Sequence, residues 1–133
     1  MTTELTALAL AGVLQVIQMI LHIIGYYLHT GFKAGSKAAL SSRDEPIEFS
    51  GTAARVQRAY HNHFESLAIF TIAVIVITLS DQSTPLTQYC AWVYVAARTL
   101  YIPAYAFGLV PWRSIIWTVA IGAATLMLLS AVL

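Results

Sequence analysis

From Leu5 to Ile24 the chain runs for twenty residues without one formal charge. Wound as a helix at about 1.5 Å per residue, such a run matches a hydrocarbon core of about 30 Å. Few other structures accept so long an apolar stretch, because backbone polar groups in lipid must be satisfied within the segment. The rest of the chain has the same character. Only 10% of its 133 residues are charged and 59% are hydrophobic, whereas soluble domains carry roughly a quarter charged residues. These values exclude a disordered chain, a nucleic-acid binder and an ordinary soluble domain. We expect an all-α integral membrane protein, a four-helix bundle forming a single domain over 1–133. The start, Met1-Thr2-Thr3-Glu4, has no basic segment, and the first apolar run is too long for a signal peptide. We expect it to be a retained helix.

The spacing predicts helices at about 3–29, 52–80, 84–107 and 113–132. Residues 30 to about 52 read as a polar connection, with Gly31, Gly35, Ser41, Ser42, Pro46 and Gly51 as loop signals. The uncharged part of the second helix, Ser66 to Ser80, is too short to cross a bilayer. Its charged turns from Arg55 to Glu65 must therefore lie partly at membrane depth. Pro85 suits a first helical position, and Pro103 is expected to kink the third helix.

Four crossings put Lys33, Lys37, Arg43, Arg55, Arg58, Arg98 and Arg113, all seven Lys and Arg residues, on one side. Glu4, Asp81 and the C-terminus fall on the other. The positive-inside rule then places both termini outside and the long connection in the cytoplasm.

Charges at membrane depth need partners or water. Arg58, Asn62 and Glu65 follow helical spacing and share one face, with Arg55 one turn before them. Arg98, Tyr101 and Tyr105 form a similar face on the third helix, and Arg113 opens the fourth. These residues describe a cationic pocket suited to an anionic or zwitterionic ligand, with Glu65 available for an amine. The competing interpretation is a buried salt-bridge network that holds the helices together.

Other features carry less. His61 and His63 sit two apart on a helix and point about 200° from each other, so they cannot share a metal. No paired Glu-x-x-His motif is present, so no metal site is expected. Cys90 lies away from the cations and reads as packing. Glu4 lies too near the end of its helix for a four-helix drug exporter. Gln15, Gln18 and His22 share a face of helix one that should meet protein or water rather than lipid.

The segment Arg55-Val56-Gln57-Arg58-Ala59-Tyr60-His61-Asn62-His63-Phe64-Glu65 resembles the MAPEG family, membrane-associated proteins in eicosanoid and glutathione metabolism. The shared motif is Arg-Ala-x-x-Asn-x-x-Glu, and Arg98-x-x-Tyr101-x-x-x-Tyr105 followed by Arg113-Ser114 is a second match. The resemblance covers almost the whole chain. It implies a homotrimer that binds glutathione as co-substrate between subunits, near the cytoplasmic face, and a lipophilic small-molecule substrate. Arg58, Asn62 and Glu65 would hold the charged ends of glutathione within a pocket that also includes Arg55 and Arg98. Tyr101 and Tyr105 would contact its peptide, and Arg113 would face the thiol with Ser114 beside it. The implied function is a glutathione-dependent transferase or peroxidase. The alternative is a non-catalytic membrane subunit with a structural arginine network. The compact chain looks like the bacterial branch, which implies an inner-membrane location. Two departures stand out. The end of helix one, Tyr27 to Lys33, offers only His29 and Lys33 where many members carry arginines. His61 replaces an arginine found in some members. In a trimer, the Gln15–Gln18–His22 face would be expected between subunits.

Overall fold

Five helices and no strand make up the fold, seen in a computed structural model that describes residues 1–133. They are α1 (Thr3–Thr30), α2 (Phe32–Ala39), α3 (Gly51–Leu79), α4 (Pro85–Ala106) and α5 (Trp112–Val132). Local chemistry sets several of the ends. The Thr2 hydroxyl accepts the Leu5 backbone N–H at the start of α1. Thr84 and Thr87 form a reciprocal capping box at the start of α4, where Pro85 takes the first helical position. Gly31, with φ +80°, ends α1 in the backbone region that favours glycine.

The connection after α1 is not wholly irregular, because it contains α2. Gly35 in this segment reads as a loop signal, yet it is there for close packing. A Cβ at position 35 would lie 2.5 Å from Thr30 Oγ1 and 3.0 Å from the rings of Tyr26 and Tyr27. The glycine lets α2 fold back onto the end of α1, while its alanines and lysines favour the helix.

Helices α1, α3 and α5 are long and apolar enough to cross a membrane, with mean hydropathy of 2.1, 1.7 and 2.2 over their best stretches. Helix α4 has 22 residues, so its length suffices, but Gln88, Arg98 and its threonines and tyrosines lower its apolarity. Helices α3 and α4 form the centre. Each packs on α1, on α5 and on the other, whereas α1 and α5 do not meet.

The interior is built from small residues. Eight of the fourteen residues in the apolar core are alanines: Ala7, Ala11, Ala73, Ala91, Ala97, Ala120, Ala123 and Ala124. The large side chains Val13, Ile17, Ile20, Ile72, Ile75, Leu126 and Leu129 point outward. A soluble bundle would reverse this. Lipid tails are as apolar as leucine, so membrane helices gain by close backbone approach rather than by hiding large side chains. At the centre, the Phe70 and Tyr94 rings stack at 3.9 Å, and Tyr94 Oη is hydrogen-bonded to Ser66 Oγ at 2.7 Å.

Glu4 ties down the other end. Fully buried, it accepts hydrogen bonds from Ser83 Oγ at 2.8 Å and Thr87 Oγ1 at 2.6 Å. This links the first turn of α1 to the first turn of α4, where helix dipoles favour a carboxylate. Of the polar stripe of α1, only Gln18 is buried, whereas Gln15 and His22 are half-buried. Gln18 is 2% exposed within this single chain, and His22 stacks on Tyr60 at 5.3 Å.

The reversed packing makes a prediction. Ala91→Leu, at a fully buried position, should destabilise the protein by about 1–3 kcal/mol through overpacking. Outward-facing Leu126→Ala should leave the midpoint of thermal unfolding in detergent nearly unchanged. Circular dichroism of the two purified variants checks both.

Candidate functional site

The first turns of α3, the last turns of α4 and the start of α5 converge at the end of the molecule opposite Glu4. The buried face of α5 begins only at Ala120. Its first two turns are half-buried or exposed. They leave a cavity of about 340 Å³ lined by Asn62, Tyr101, Tyr105, Arg113, Ser114, Trp117 and Thr118. That volume lies within the range of about 300–1,000 Å³ typical of small-molecule sites.

Arg98 stands behind the cavity and is fully buried. Its Nε donates to His63 Nδ1 and its Nη1 to Asn62 Oδ1, both at 3.0 Å. Its guanidinium lies 4.4 Å from the centre of the Tyr101 ring. Because Arg98 only donates, the His63 proton must sit on Nε2, which reaches the Ala11 carbonyl at 3.2 Å. One charged group thus links α4, α3 and α1. The same logic orients Asn62. Its oxygen is taken by Arg98, so its NH₂ group is left for the cavity, where it can donate to a ligand carbonyl or carboxylate.

Tyr105 organises the front. Its hydroxyl accepts from Arg58 Nε at 3.1 Å. The guanidinium carbons of Arg58 and Arg113 lie 5.8 Å and 5.1 Å from its ring centre. Tyr101 packs beside it at 5.4 Å. Two cations are therefore held on one aromatic side chain at the cavity.

The structure brings Asn62, Tyr101, Tyr105, Arg113 and Ser114 to the cavity wall, with Arg58 joined to it through Tyr105. It does not bring Arg55, Arg98 or Glu65 there. Arg55 donates to the Ala106 carbonyl at 2.9 Å and to Thr52 Oγ1 at 3.2 Å, which caps the last turn of α4. Arg98 is sealed behind Asn62 and Tyr101, and Glu65 is exposed on α3. Trp117 and Thr118 complete the wall without having been singled out for it by the sequence. Their spacing from Ser114, three and four residues on, is the helical signal that could have found them.

The hydrogen bonds of Arg55, Arg58 and Arg98 all go to neutral groups: a carbonyl, two hydroxyls, an imidazole and an amide. A salt-bridge network would show carboxylates instead. The positive charge at this end remains available to an anion. His63 is buried and His61 is exposed, on different sides of α3.

An all-helical fold, three helices long and apolar enough to cross a membrane, and a cationic, tyrosine-lined cavity at one end together mark a membrane protein. The model of the MAPEG family matches residues 6–133, and the chain belongs to that family. The family includes glutathione transferases, peroxidases and non-catalytic members. No curated protein and no solved structure gave a match to the chain.

The Arg98 clamp is open to test. Arg98→Ala leaves buried His63 and half-buried Asn62 without their donor, so it should cost about 2–6 kcal/mol, at roughly 1–3 kcal/mol each. Arg58→Ala, at an exposed position, should cost about 0.5 kcal/mol or less. Thermal unfolding of the purified variants measures the difference.

Proposed function

We propose that the protein is a membrane-bound, glutathione-dependent transferase or peroxidase that directs a thiolate at a lipophilic electrophile. The observation that carries this reading is the pair of guanidinium groups, Arg58 and Arg113, flanking Tyr105 at a cavity beside outward-facing apolar helices. Glutathione carries two carboxylates, an amine and a thiol. Arg58 and the Asn62 NH₂ group suit its carboxylates and carbonyls, and exposed Glu65 suits its amine. Tyr101 and Tyr105 provide the wall for the peptide.

Arg113 and Ser114 act on the sulfur. A free thiol of pKa about 8.5 is mostly protonated at neutral pH. A guanidinium nearby favours the thiolate, and the Ser114 hydroxyl donates a hydrogen bond to it. The thiol proton leaves to water. In the transferase reaction the sulfur's electron pair forms the bond to carbon, and the leaving group departs with its own pair. Trp117 beside Ser114 offers an apolar surface to a substrate arriving from the bilayer.

The reading extends to assembly and place. Arg58, His61 and Glu65 are exposed on α3, itself a membrane-span candidate. Such groups need water or protein beside them at membrane depth. A homotrimer of four-helix subunits supplies that cover and closes the open side of the cavity. The protein would lie in the inner membrane of a bacterium, with both termini outside and the long connection cytoplasmic.

The non-catalytic reading draws on a separate observation. Arg55 and Arg98 serve helix packing and do not reach the cavity. One experiment separates the two readings. Titrating the detergent-purified protein with glutathione should produce a saturable ultraviolet thiolate signal that is lost in Arg113→Ala, while the oligomer persists. A folded oligomer that gives no signal would favour the non-catalytic subunit. A signal unchanged in Arg113→Ala would remove Arg113 from its assigned role.

A further inference from the structure

A second cavity, of about 550 Å³, lies under the connection between α1 and α3 and shares no lining residue with the first. Its walls are firmly built. Tyr26 Oη donates to the Gly35 carbonyl at 2.8 Å, which seats α2 on α1. His29 Nε2 is hydrogen-bonded to the Glu48 carbonyl at 3.0 Å, which seats the following segment. Phe49 is gripped by three rings, with centroid distances of 5.8 Å to His22, 6.0 Å to Tyr26 and 5.3 Å to His29. The space left among these elements is a half-open chamber, with Arg43 and Glu45 exposed to solvent.

Its lining has two chemistries. Ile23 and Tyr27, in the last two turns of the membrane-span candidate α1, make an apolar wall with Ile47 and Phe49. Arg43 and Glu45 supply one positive and one negative charge. Neither charge is used up inside the chain. The Arg43 guanidinium reaches only the Ala39 carbonyl, at 3.3–3.4 Å. The neighbouring Asp44 is engaged by Ser42 rather than by Arg43. Arg43 also holds a positive φ of 61°, a conformation that costs a non-glycine residue free energy, and it lines the chamber.

We propose that this chamber binds an amphiphile with a zwitterionic head, a phosphate paired with a primary amine, drawn from the adjacent leaflet. The phosphate meets Arg43 in a charge-assisted, bidentate geometry, and the amine meets Glu45. The apolar part lies along Ile23, Tyr27 and Ile47. The tyrosines occupy the level at which aromatic side chains favour the membrane interface. An anionic head alone would leave Glu45 unmatched, and a purely apolar guest would leave both charges unmatched.

The test uses the full-length, detergent-purified protein and a phosphatidylethanolamine labelled on its acyl chain, with binding read by fluorescence anisotropy. We expect saturable binding that weakens about tenfold in Arg43→Gln and in Glu45→Gln, and that disappears when Ala39→Trp fills the chamber. All three positions lie outside the membrane-span segments, and an unchanged unfolding midpoint verifies the fold of each variant. Unlabelled phosphatidylethanolamine should compete, whereas soluble phosphoethanolamine and phosphatidylglycerol should compete at least about tenfold more weakly. Equal competition by phosphoethanolamine would mean that the head group alone is the ligand. Equal competition by phosphatidylglycerol would mean that the amine is not read. Either result overturns the proposal, as does binding that survives all three substitutions or the absence of binding to the folded protein.

Discussion

A guanidinium fully buried among helices, with no carboxylate beside it, is the constraint on which this molecule turns. Arg98 is fully buried and keeps its charge through a ring face, an imidazole and an amide oxygen. A charge held this way tolerates little displacement, because each partner compensates only part of the lost hydration. The helices that supply the partners are therefore fixed in register. His63 passes the constraint from α4 through α3 to the Ala11 carbonyl of α1. Asn62 passes it in the other direction, to the cavity. The packing of the bundle and the hydrogen-bonding character of the site thus have one origin.

The remaining arginines divide by what they touch. Arg55 closes the end of α4, so it sets where the turn to α5 begins. Arg58 and Arg113 meet at Tyr105 from α3 and α5. One aromatic side chain fixes the spacing between two cations from helices far apart in sequence. At the opposite end a single carboxylate, Glu4, does the corresponding work for α1 and α4. Helix α4 is thus pinned near both ends by polar contacts, with small side chains between. Between these ends the alanine faces let the helices approach closely, with the Ser66–Tyr94 hydrogen bond as a polar contact at the centre.

Much of this was legible in the residues. The uncharged run after Glu4 announced a membrane helix, and Arg-Ala-x-x-Asn-x-x-Glu announced the family. The helical spacing of Tyr101 and Tyr105, with Arg113 and Ser114 beyond, pointed to side chains that share one cavity. What spacing could not separate was reach. Arg55 and Arg58 look alike in sequence, yet one meets a helix end and the other a tyrosine. Arg98 lies on the same face of α4 as Tyr101 and both are buried, yet its guanidinium is taken up by His63 and Asn62 and only Tyr101 reaches the cavity. Gly35 was misleading for a similar reason. Glycine in a polar segment reads as a loop, and only the closeness of Thr30, Tyr26 and Tyr27 shows that it admits a helix. Burial along the α1 polar stripe was equally hidden, since periodicity defines a face but not how deeply each of its side chains sits.

The alanine interior has a consequence for how such a molecule comes apart. When helices separate within a bilayer, their newly bared surfaces pass from protein to lipid, not to water. Almost no apolar area becomes hydrated, so the large heat-capacity change that curves the stability of soluble proteins is largely absent. Urea, which acts through exposed surface, has correspondingly little to act on. Disassembly should therefore resemble rods drifting apart with their internal hydrogen bonds intact. The first cost is borne by the few polar contacts that cross between them.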